Sequence, residues 1–415
     1  MELWRISLQI VLMALEILTG FLGVYQIVMS LAGFWHRRES VGHSPRKRFL
    51  FLIPAHNEER VIGLLIDSLH TQNYPRDLFD IHVIADNCTD HTVQVAEKHG
   101  ARVHRRTNTE LCGKGFAIEW AIREIFQPFD RHDAIVLLDA DNLVAPDFLE
   151  RINSKLCEGH RVIQGYLDVK NPFDSWVSVS MAVSYWFSNR MWQNARQNLG
   201  LSCSLGGTGL CIDTSVLMEI GWEATGLTED LEFGVRCVRR GILPVWAHDA
   251  KVYDEKPVDL RSSMRQRLRW MQGHFDCAKK HMLPLLISGI RERNFAKVDA
   301  AIYLFQPTRF IVLFLTSLMM VFQVSALQDT PWSKSLSFLP TNFWVFINLF
   351  LYLQVPLALL LERVNWRAYF GVVLLPWFLW TWGPITLQAY FTKNNRVWRH
   401  TVHKRAIRLD DLRGR

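Results

Sequence analysis

The chain has 415 residues, room for two or three domain-sized units, and is 49% hydrophobic and 12% aromatic with 16 Trp. That is richer in apolar and aromatic side chains than a soluble enzyme usually is, and it points to a membrane. The net charge of +7 gathers at 37–48, 102–106, 236–240, 261–269 and 393–415, which suits an anionic membrane surface and anionic substrates. No nucleic-acid motif accompanies it, so no nucleic-acid partner is expected. Seven Cys without paired spacing argue for a reduced compartment and against disulfide or zinc frameworks.

In chain order, the apolar run at 6–34 is followed by a basic flank at His36, Arg37, Arg38, Arg46, Lys47 and Arg48. It is too long for a signal-peptide core and predicts an uncleaved transmembrane helix over 1–35, N-terminus outside. Glu16 is costly in lipid and is expected to face other helices. From 48 to 260 the pattern is that of a cytosolic α/β domain. Apolar runs at 49–53, 81–85 and 134–138 end in Pro54-Ala55-His56-Asn57-Glu58-Glu59, Asp86-Asn87-Cys88-Thr89-Asp90 and Asp139-Ala140-Asp141. Helical patterns follow the first two. This predicts a mostly parallel sheet with right-handed crossovers. Ligands of such sheets bind beyond the carboxyl ends of the strands, so the three polar clusters should share one crevice.

A second amphipathic patch at 176–192 is expected at the membrane face. Residues 261–300 read as amphipathic interfacial helices, and 301–392 as a transmembrane region with apolar stretches at 302–324, 343–361 and 370–391. The loop 325–342 carries one Lys, as an outer loop should. Pro376 and Gly383-Pro384 interrupt the last stretch, which is expected to bend or re-enter so that the basic tail 393–415 stays cytosolic.

Two carboxylates at Asp139 and Asp141, just after a buried strand, form a hard oxygen site for Mg²⁺ or Mn²⁺ bridging a diphosphate. An isolated Asp-x-Asp is more often a strand-end turn; its place in the shared crevice favours the metal. His248 is a candidate third ligand, although a surface histidine is the commoner outcome. Asp86 can accept hydrogen bonds from a nucleobase or ribose, while Asn87 and Thr89 suit capping of the next helix. Gly113-Lys114-Gly115 opens a helix to Ile125 and favours a phosphate or base contact, without being a Walker loop. Gly206-Gly207-Thr208-Gly209 fits either close backbone approach to a sugar or a tight turn. Asp230, beside Glu229, is the candidate general base, its pKa raised by a like charge and poor solvation; the competing role is a helix N-cap. Gln266, Arg269 and Trp270 share one helical face, offering an amide, a forked phosphate binder and an apolar platform.

The ordered set Asp86, Asp139-x-Asp141, Thr228-Glu229-Asp230 and Gln266-x-x-Arg269-Trp270 resembles the membrane-bound family 2 glycosyltransferases of the cellulose, hyaluronan and chitooligosaccharide synthase type. Trp398-Arg399-His400-Thr401 resembles a tail motif of some members. The resemblance implies a Rossmann-like GT-A domain at 48–260, flanked by transmembrane and interfacial helices. It implies a metal-dependent, inverting transfer from a UDP-sugar, with Mg or Mn held by Asp139 and Asp141 and Asp230 as base. Donor contacts are expected at Pro54, Ala55, Glu58, Asp86, Lys114, Asp139 and Arg269. Acceptor contacts are expected at Gly207, Thr208, Glu229, Gln266 and Trp270. The sequence departs from the pattern at Ala85, where many members carry a further Asp, and at His56, where an aromatic or small residue is common.

The expected activity is processive synthesis of a β-linked polysaccharide by a multi-pass protein of the plasma or inner membrane, its catalytic domain cytosolic. The alternative is a single transfer to a lipid such as ceramide or diacylglycerol. A nucleotide-sugar-sensing transporter or receptor belongs to a different class, which Asp230 and the Gln-x-x-Arg-Trp set argue against. The expected partners are the UDP-sugar, a saccharide or lipid acceptor and membrane lipids; a homo-oligomer is left open.

Overall fold

The computed structural model describes residues 2–36, 38–39, 41–126, 131–224, 226–305, 307, 339–393 and 405–412. After α1 (Glu2–Leu31), the chain alternates β1 (Phe49–Ala55), α2 (Ile62–His70), β2 (Phe79–Asp86), α3 (Thr92–Lys98), β3 (Arg102–Arg106), α4 (Lys114–Glu124) and β4 (Ala134–Leu137). There follow β5 (Leu143–Val144), α5 (Phe148–Cys157), β6 (Val162–Val169) and α6 (Trp176–Ser188), which runs through a π turn at Asn189–Asn194 into α7 (Ala195–Asn198). Then come β7 (Leu210–Asp213), α8 (Thr214–Ile220), α9 (Glu229–Arg239) and β8 (Val245–Asp254). The described helices beyond are α10 (Leu260–Arg291), α11 (Phe295–Leu304), α12 (Thr341–Leu361), α13 (Ala368–Trp380) and α14 (Trp382–Thr392).

The eight strands form one sheet in the order β3-β2-β1-β4-β7-β6-β8-β5. β1 runs parallel to β2 and β4, as the three apolar runs predict, and β3 extends that parallel half. The far half departs from the expectation. β7 is antiparallel to both β4 and β6, β5 is antiparallel to β8, and only β6 and β8 pair in parallel there. Four of seven pairings are therefore parallel and the sheet is mixed.

Strand alternation explains the layers. Phe49, Phe51 and Ile53 enter a core with Leu65, Ile66 and Leu69 of α2 and Phe148 and Ile152 of α5. Leu50 and Leu52 enter the opposite core with Ala117, Ile118 and Ala121 of α4, Val216 and Leu217 of α8, and Phe233 and Cys237 of α9. A strand buried on both faces needs helices on both faces.

Three helical stretches are long and apolar enough to cross a membrane among the described residues: Glu16–Phe34, Asn342–Leu361 and Ala368–Thr392. Glu16 is 1% exposed and accepts from Leu339 N and Trp344 Nε1, so it faces α12 as expected. The last stretch is interrupted at Thr381, a turn residue between α13 and α14. Pro376 lies inside α13, and Pro384 falls in the first turn of α14, where no N–H is missed. Most of the stretch 302–324, the loop up to 338, Arg37 and the Trp398–Thr401 motif lie outside the described residues.

The 176–192 patch is not a surface helix. Val177, Met181 and Val183 of α6 pack between Tyr166 and Trp246 of the sheet and Val372 and Phe378 of α13. Its residues are too uniformly apolar to leave a solvated face, and Gly371 admits the close approach, since a Cβ there would lie 2.8 Å from Val183 Cγ2. An ion pair ties the segment after α6 to α11 and α1. Arg196 of α7 meets Asp299 of α11 through two 3.0 Å bonds, both side chains no more than 2% exposed, and Tyr25 of α1 also donates to Asp299. At the C-terminus, Arg405 returns to Asp174 at 3.1 Å and donates its N–H to Glu255.

One contact sets α10 against the start of α9. A Cβ on Gly273 would lie 2.5 Å from Thr228 Oγ1 and 2.9 Å from Thr228 N. Gly273→Ala is expected to destabilise the protein by about 1–3 kcal/mol, the usual cost of overpacking. It should lower the melting temperature in detergent, and adding Thr228→Ala should recover part of the loss.

Candidate active site

The ends of β1, β2 and β4 deliver their polar clusters to one crevice, each through local turn chemistry. Asn57 and Asn87 follow β1 and β2 with φ of 55° and 52°, a left-handed conformation that asparagine tolerates best after glycine. Asn57 Oδ1 accepts from Thr89 N at 2.8 Å. Asn87 bonds the backbone of Asn108 on both sides, at 2.9 Å each, so it fastens the loop before α4 and does not cap α3. His56 Nδ1 lies 2.7 Å from the carbonyl oxygen of Asp86, joining the ends of the two strands; this gives its departure from the family pattern a structural role. Pro54 sits where β1 has parted from β4, whose register ends at Leu52 and Leu137. Glu58 is 7% exposed; its N–H donates to Thr92 Oγ1 and its carbonyl accepts from Val61 and Ile62 at the start of α2.

At the β4 end, the Asp139 N–H donates to Asn142 Oδ1 and Thr208 Oγ1, both at 3.1 Å, and Thr208 donates to Asn142. Thr208 is 2% exposed. Its hydroxyl is spent on the turn that presents Asp139. Asp141 is 5% exposed, its Oδ2 accepting from Glu255 N at 3.0 Å and its carbonyl from the buried Lys170 ammonium at 2.8 Å. The Asp139 side chain, by contrast, is 41% exposed, which makes it the open member of the pair.

Lys114 is the hub. Its Nζ lies 2.6 Å from Asp139 Oδ1, 2.6 Å from the carbonyl oxygen of Gly207 and 3.7 Å from Glu229 Oε1. Burial would lower its pKa, but Asp139, Glu229 and Asp230 outweigh burial and hold the ammonium above the ordinary lysine value. Gly207 has φ +79°, and a Cβ there would stand 3.3 Å from Asp230 Oδ2 and 3.5 Å from Lys114 Nζ. The glycine thus keeps space between base candidate and cation. Asp230 lies in the first turn of α9, whose N-cap is Thr228, so it is not the cap. Burial first, then Glu229, pushes its pKa up to about 7, against backbone N–H groups and Lys114.

His248 is neither a surface histidine nor near these carboxylates. It is 7% exposed on β8, accepting from Trp246 Nε1 at Nδ1 and lying 3.3 Å from Glu362. On α10, the face that packs Gly273 on Thr228 also carries Gln266, Arg269 and Trp270, at spacings of seven, four and three residues. Trp270 packs with the α6 and α13 core and with Leu268 and Met271. The buried arginine of this motif is Arg267, stacked 4.2 Å over Phe378 and donating to Thr381 Oγ1 between α13 and α14.

Sequence reasoning missed several residues. Asp254 closes β8, and burial, with Asp141 and Asp139 nearby, pushes its pKa up to about 6 against the Lys256 ammonium 2.5 Å away. Lys256 is 2% exposed and lies 3.3 Å over the Tyr185 ring. Arg106 donates to Asp86 Oδ1 at 2.5 Å. The only trace of the first group was the acid-acid-base run Asp254-Glu255-Lys256; Arg106 was hidden among the basic residues 102–106. A cavity of about 540 Å³ opens beside Arg106, lined also by Asn108, Leu111, Phe116 and Trp120, and it holds none of the expected catalytic residues. Among the described residues no three His, Cys, Asp or Glu converge as a metal cage. A cation held by Asp139 and Asp141 therefore needs further oxygens, and their hard-oxygen chemistry suits a cation shared with a diphosphate and water.

Three comparisons bear on this geometry. A solved mannosyltransferase from Pyrobaculum calidifontis, in complex with GDP-Man and Mn²⁺, superposes with a TM-score of 0.50 at 17% identity, covering 83% of this chain and 98% of that one, which makes the fold GT-A-like. The probable glycosyltransferase YdaM of Bacillus subtilis is 23% identical over 88% of this chain and 89% of its own length. The beta-monoglucosyldiacylglycerol synthase of Nostoc is 26% identical over 62% of this chain, and this chain spans 55% of that enzyme. Residues 45–273 match the model described as glycosyltransferase like family 2, and the chain belongs to that family.

Proposed function

We propose that this protein transfers a sugar from a UDP-sugar, with inversion, to a growing β-linked saccharide at a membrane. The observation that carries the reading is the convergence of distant segments on the Lys114 ammonium, which meets Asp139 Oδ1 and the Gly207 carbonyl at 2.6 Å, with the Asp230 carboxylate on the other side of Gly207. Asp230 takes the proton of the acceptor hydroxyl, whose oxygen attacks the anomeric carbon while the bond to the β-phosphate breaks and UDP departs with the electron pair. One displacement converts an α-linked donor into a β-linked product and needs one carboxylate base, unlike double displacement. Lys114 offsets charge at the diphosphate side, and Arg269 on α10 is assigned to the same leaving group. Asp139 and Asp141 would hold Mg²⁺ or Mn²⁺, which when bound supplies Lewis-acid stabilisation of the departing diphosphate. Gln266 and Trp270 are assigned to the acceptor, and the basic flank of α1 supports a cytosolic side of the cell membrane for the domain.

A second reading, a single transfer to a lipid, is favoured by the Nostoc relative, whose name gives glucosyldiacylglycerol as its product. Sizing the labelled product separates the two: a ladder of lengths supports the synthase, and one organic-extractable species supports the lipid transferase.

Asp230→Asn should lower sugar transfer by about 10²–10⁴ while leaving nucleotide binding intact. Full activity of that variant would remove Asp230 as base. A base works only when deprotonated, so kcat/KM should fall about tenfold per pH unit below about 7 and level off above it. Asp139→Asn should abolish Mn²⁺ binding in the presence of UDP, read by electron paramagnetic resonance; full transfer in excess chelator would exclude the metal role.

A further inference from the structure

One residue after Gln266, and about 100° further round α10, stands Arg267. It is 0% exposed. Its Nη1 donates to Thr381 Oγ1 at 2.7 Å, and that hydroxyl donates in turn to the carbonyl of Phe378 at 2.6 Å. The guanidinium carbon lies 4.2 Å from the centre of the Phe378 ring and 5.0 Å from that of Trp382. Nε donates to the Ser263 carbonyl at 3.3 Å, while Nη2 is buried without a hydrogen bond. Among the described residues no carboxylate opposes this charge, and burial alone lowers its pKa to about 10. A cation so placed works against stability, because it is taken from water and receives no opposite charge in return. An apolar side chain could fill the same space without that penalty. What the guanidinium adds is direction. The contact around it is apolar, with Leu268, Met271 and Phe275 of α10 against Trp382, Ile385 and Ala389 of α14. Such contact is non-directional and does not by itself set the rotation of a helix. Gln272 adds a second directional bond, to Thr392 Oγ1 at 2.9 Å at the far end of α14.

We propose that Arg267 is a positioning residue: its bond to Thr381, held between two ring faces, fixes the rotation of α10 and so aims Gln266, Arg269 and Trp270 at the crevice. The charge is kept in spite of its burial because an apolar side chain would hold the helix without orienting it. Catalysis is sensitive to such orientation, since a small misplacement of a group that acts in the transition state lowers the rate without unfolding anything. The proposal rests on the transferase reading above, which gives those three residues their task, and adds a fourth that acts through them.

The test uses the full chain in lipid nanodiscs with Mn²⁺ and whichever of UDP-glucose, UDP-galactose and UDP-N-acetylglucosamine the wild type turns over fastest. Arg267→Met is expected to melt within about 3 °C of the wild type or above it, because apolar replacement of a buried charge is often neutral or stabilising. Its kcat should fall at least about tenfold, with KM for the nucleotide sugar changed by less than about threefold. Thr381→Val keeps the shape and removes the hydroxyl, and should give the same split more weakly. The double variant should be no slower than Arg267→Met alone, as expected of two residues acting through one bond. Arg267→Lys retains a cation and a donor and should recover most of kcat. A merely structural role would instead lower melting temperature and activity together. That outcome, or full kcat in Arg267→Met, overturns the proposal and leaves the transferase reading standing. Thr381→Val decides the matter if Arg267→Met fails to fold, since an unchanged kcat there also overturns the proposal. A wild type that turns over none of the three sugars overturns both.

Discussion

The Lys114 ammonium is the charge on which the crevice depends. Asp139, Glu229 and Asp230 converge in a poorly solvated space, and like charges so placed would push one another towards the neutral form. Lys114 offsets that repulsion from one atom, touching Asp139 at 2.6 Å and Glu229 at 3.7 Å. Its position has a backbone cause. Gly113 adopts φ 122° and ψ 163°, a conformation open to glycine, and so turns the chain directly into α4 with Lys114 as its first residue. The same geometry accounts for Gly207, whose carbonyl holds the ammonium and whose missing side chain keeps Asp230 within reach.

This arrangement is joined to the membrane-directed helices through α9 and α10. Gly273 lets α10 lie directly on Thr228, the residue from which Glu229 and Asp230 project. Further along, Lys280 of α10 pairs with Glu232 of α9 at 3.3 Å. At its other end α10 is clamped by Arg267 to Thr381, the turn residue between α13 and α14. One helix thus bridges the last apolar segment and the first turn of α9.

The sequence was most informative where a period or a punctuation mark was strong. The alternating strand β1, the polar ends of β1, β2 and β4, and the long apolar helices were all legible, because burial on both faces and membrane length leave few alternatives. The antiparallel half was not. β7 is four residues long and β5 only two, too short for a period to register, and β7 pairs with β4 across more than seventy residues. Thr208 and His248 are more engaged than the sequence suggests, for a related reason. A hydroxyl beside glycines and a histidine after a strand look free in a sequence, but partners from distant segments consume both: Asn142 and the Asp139 backbone in one case, Trp246 and Glu362 in the other. Lys256 and Tyr185 were invisible because each is interpretable only beside the other.

Three carboxylates in the crevice carry raised pKa values, Asp230 to about 7, Asp254 to about 6 and Asp86, raised by burial against its bonded Arg106, so the assignment of the base needs a reason beyond the shift. Asp254 has a lysine ammonium at 2.5 Å that is itself buried and stacked on Tyr185. A proton delivered to Asp254 would break that pair and strand the Lys256 charge away from water, a costly outcome. Among the described residues no cation is bonded to Asp230. Its nearest one, Lys114, is committed to Asp139 and the Gly207 carbonyl, so Asp230 can accept a proton without leaving a buried charge uncompensated. Protonation there also relieves repulsion from Glu229, its largest electrostatic neighbour. The same event that is unfavourable at Asp254 is favourable at Asp230, and this asymmetry, more than the height of either pKa, is the physical argument for proposing Asp230 as the base.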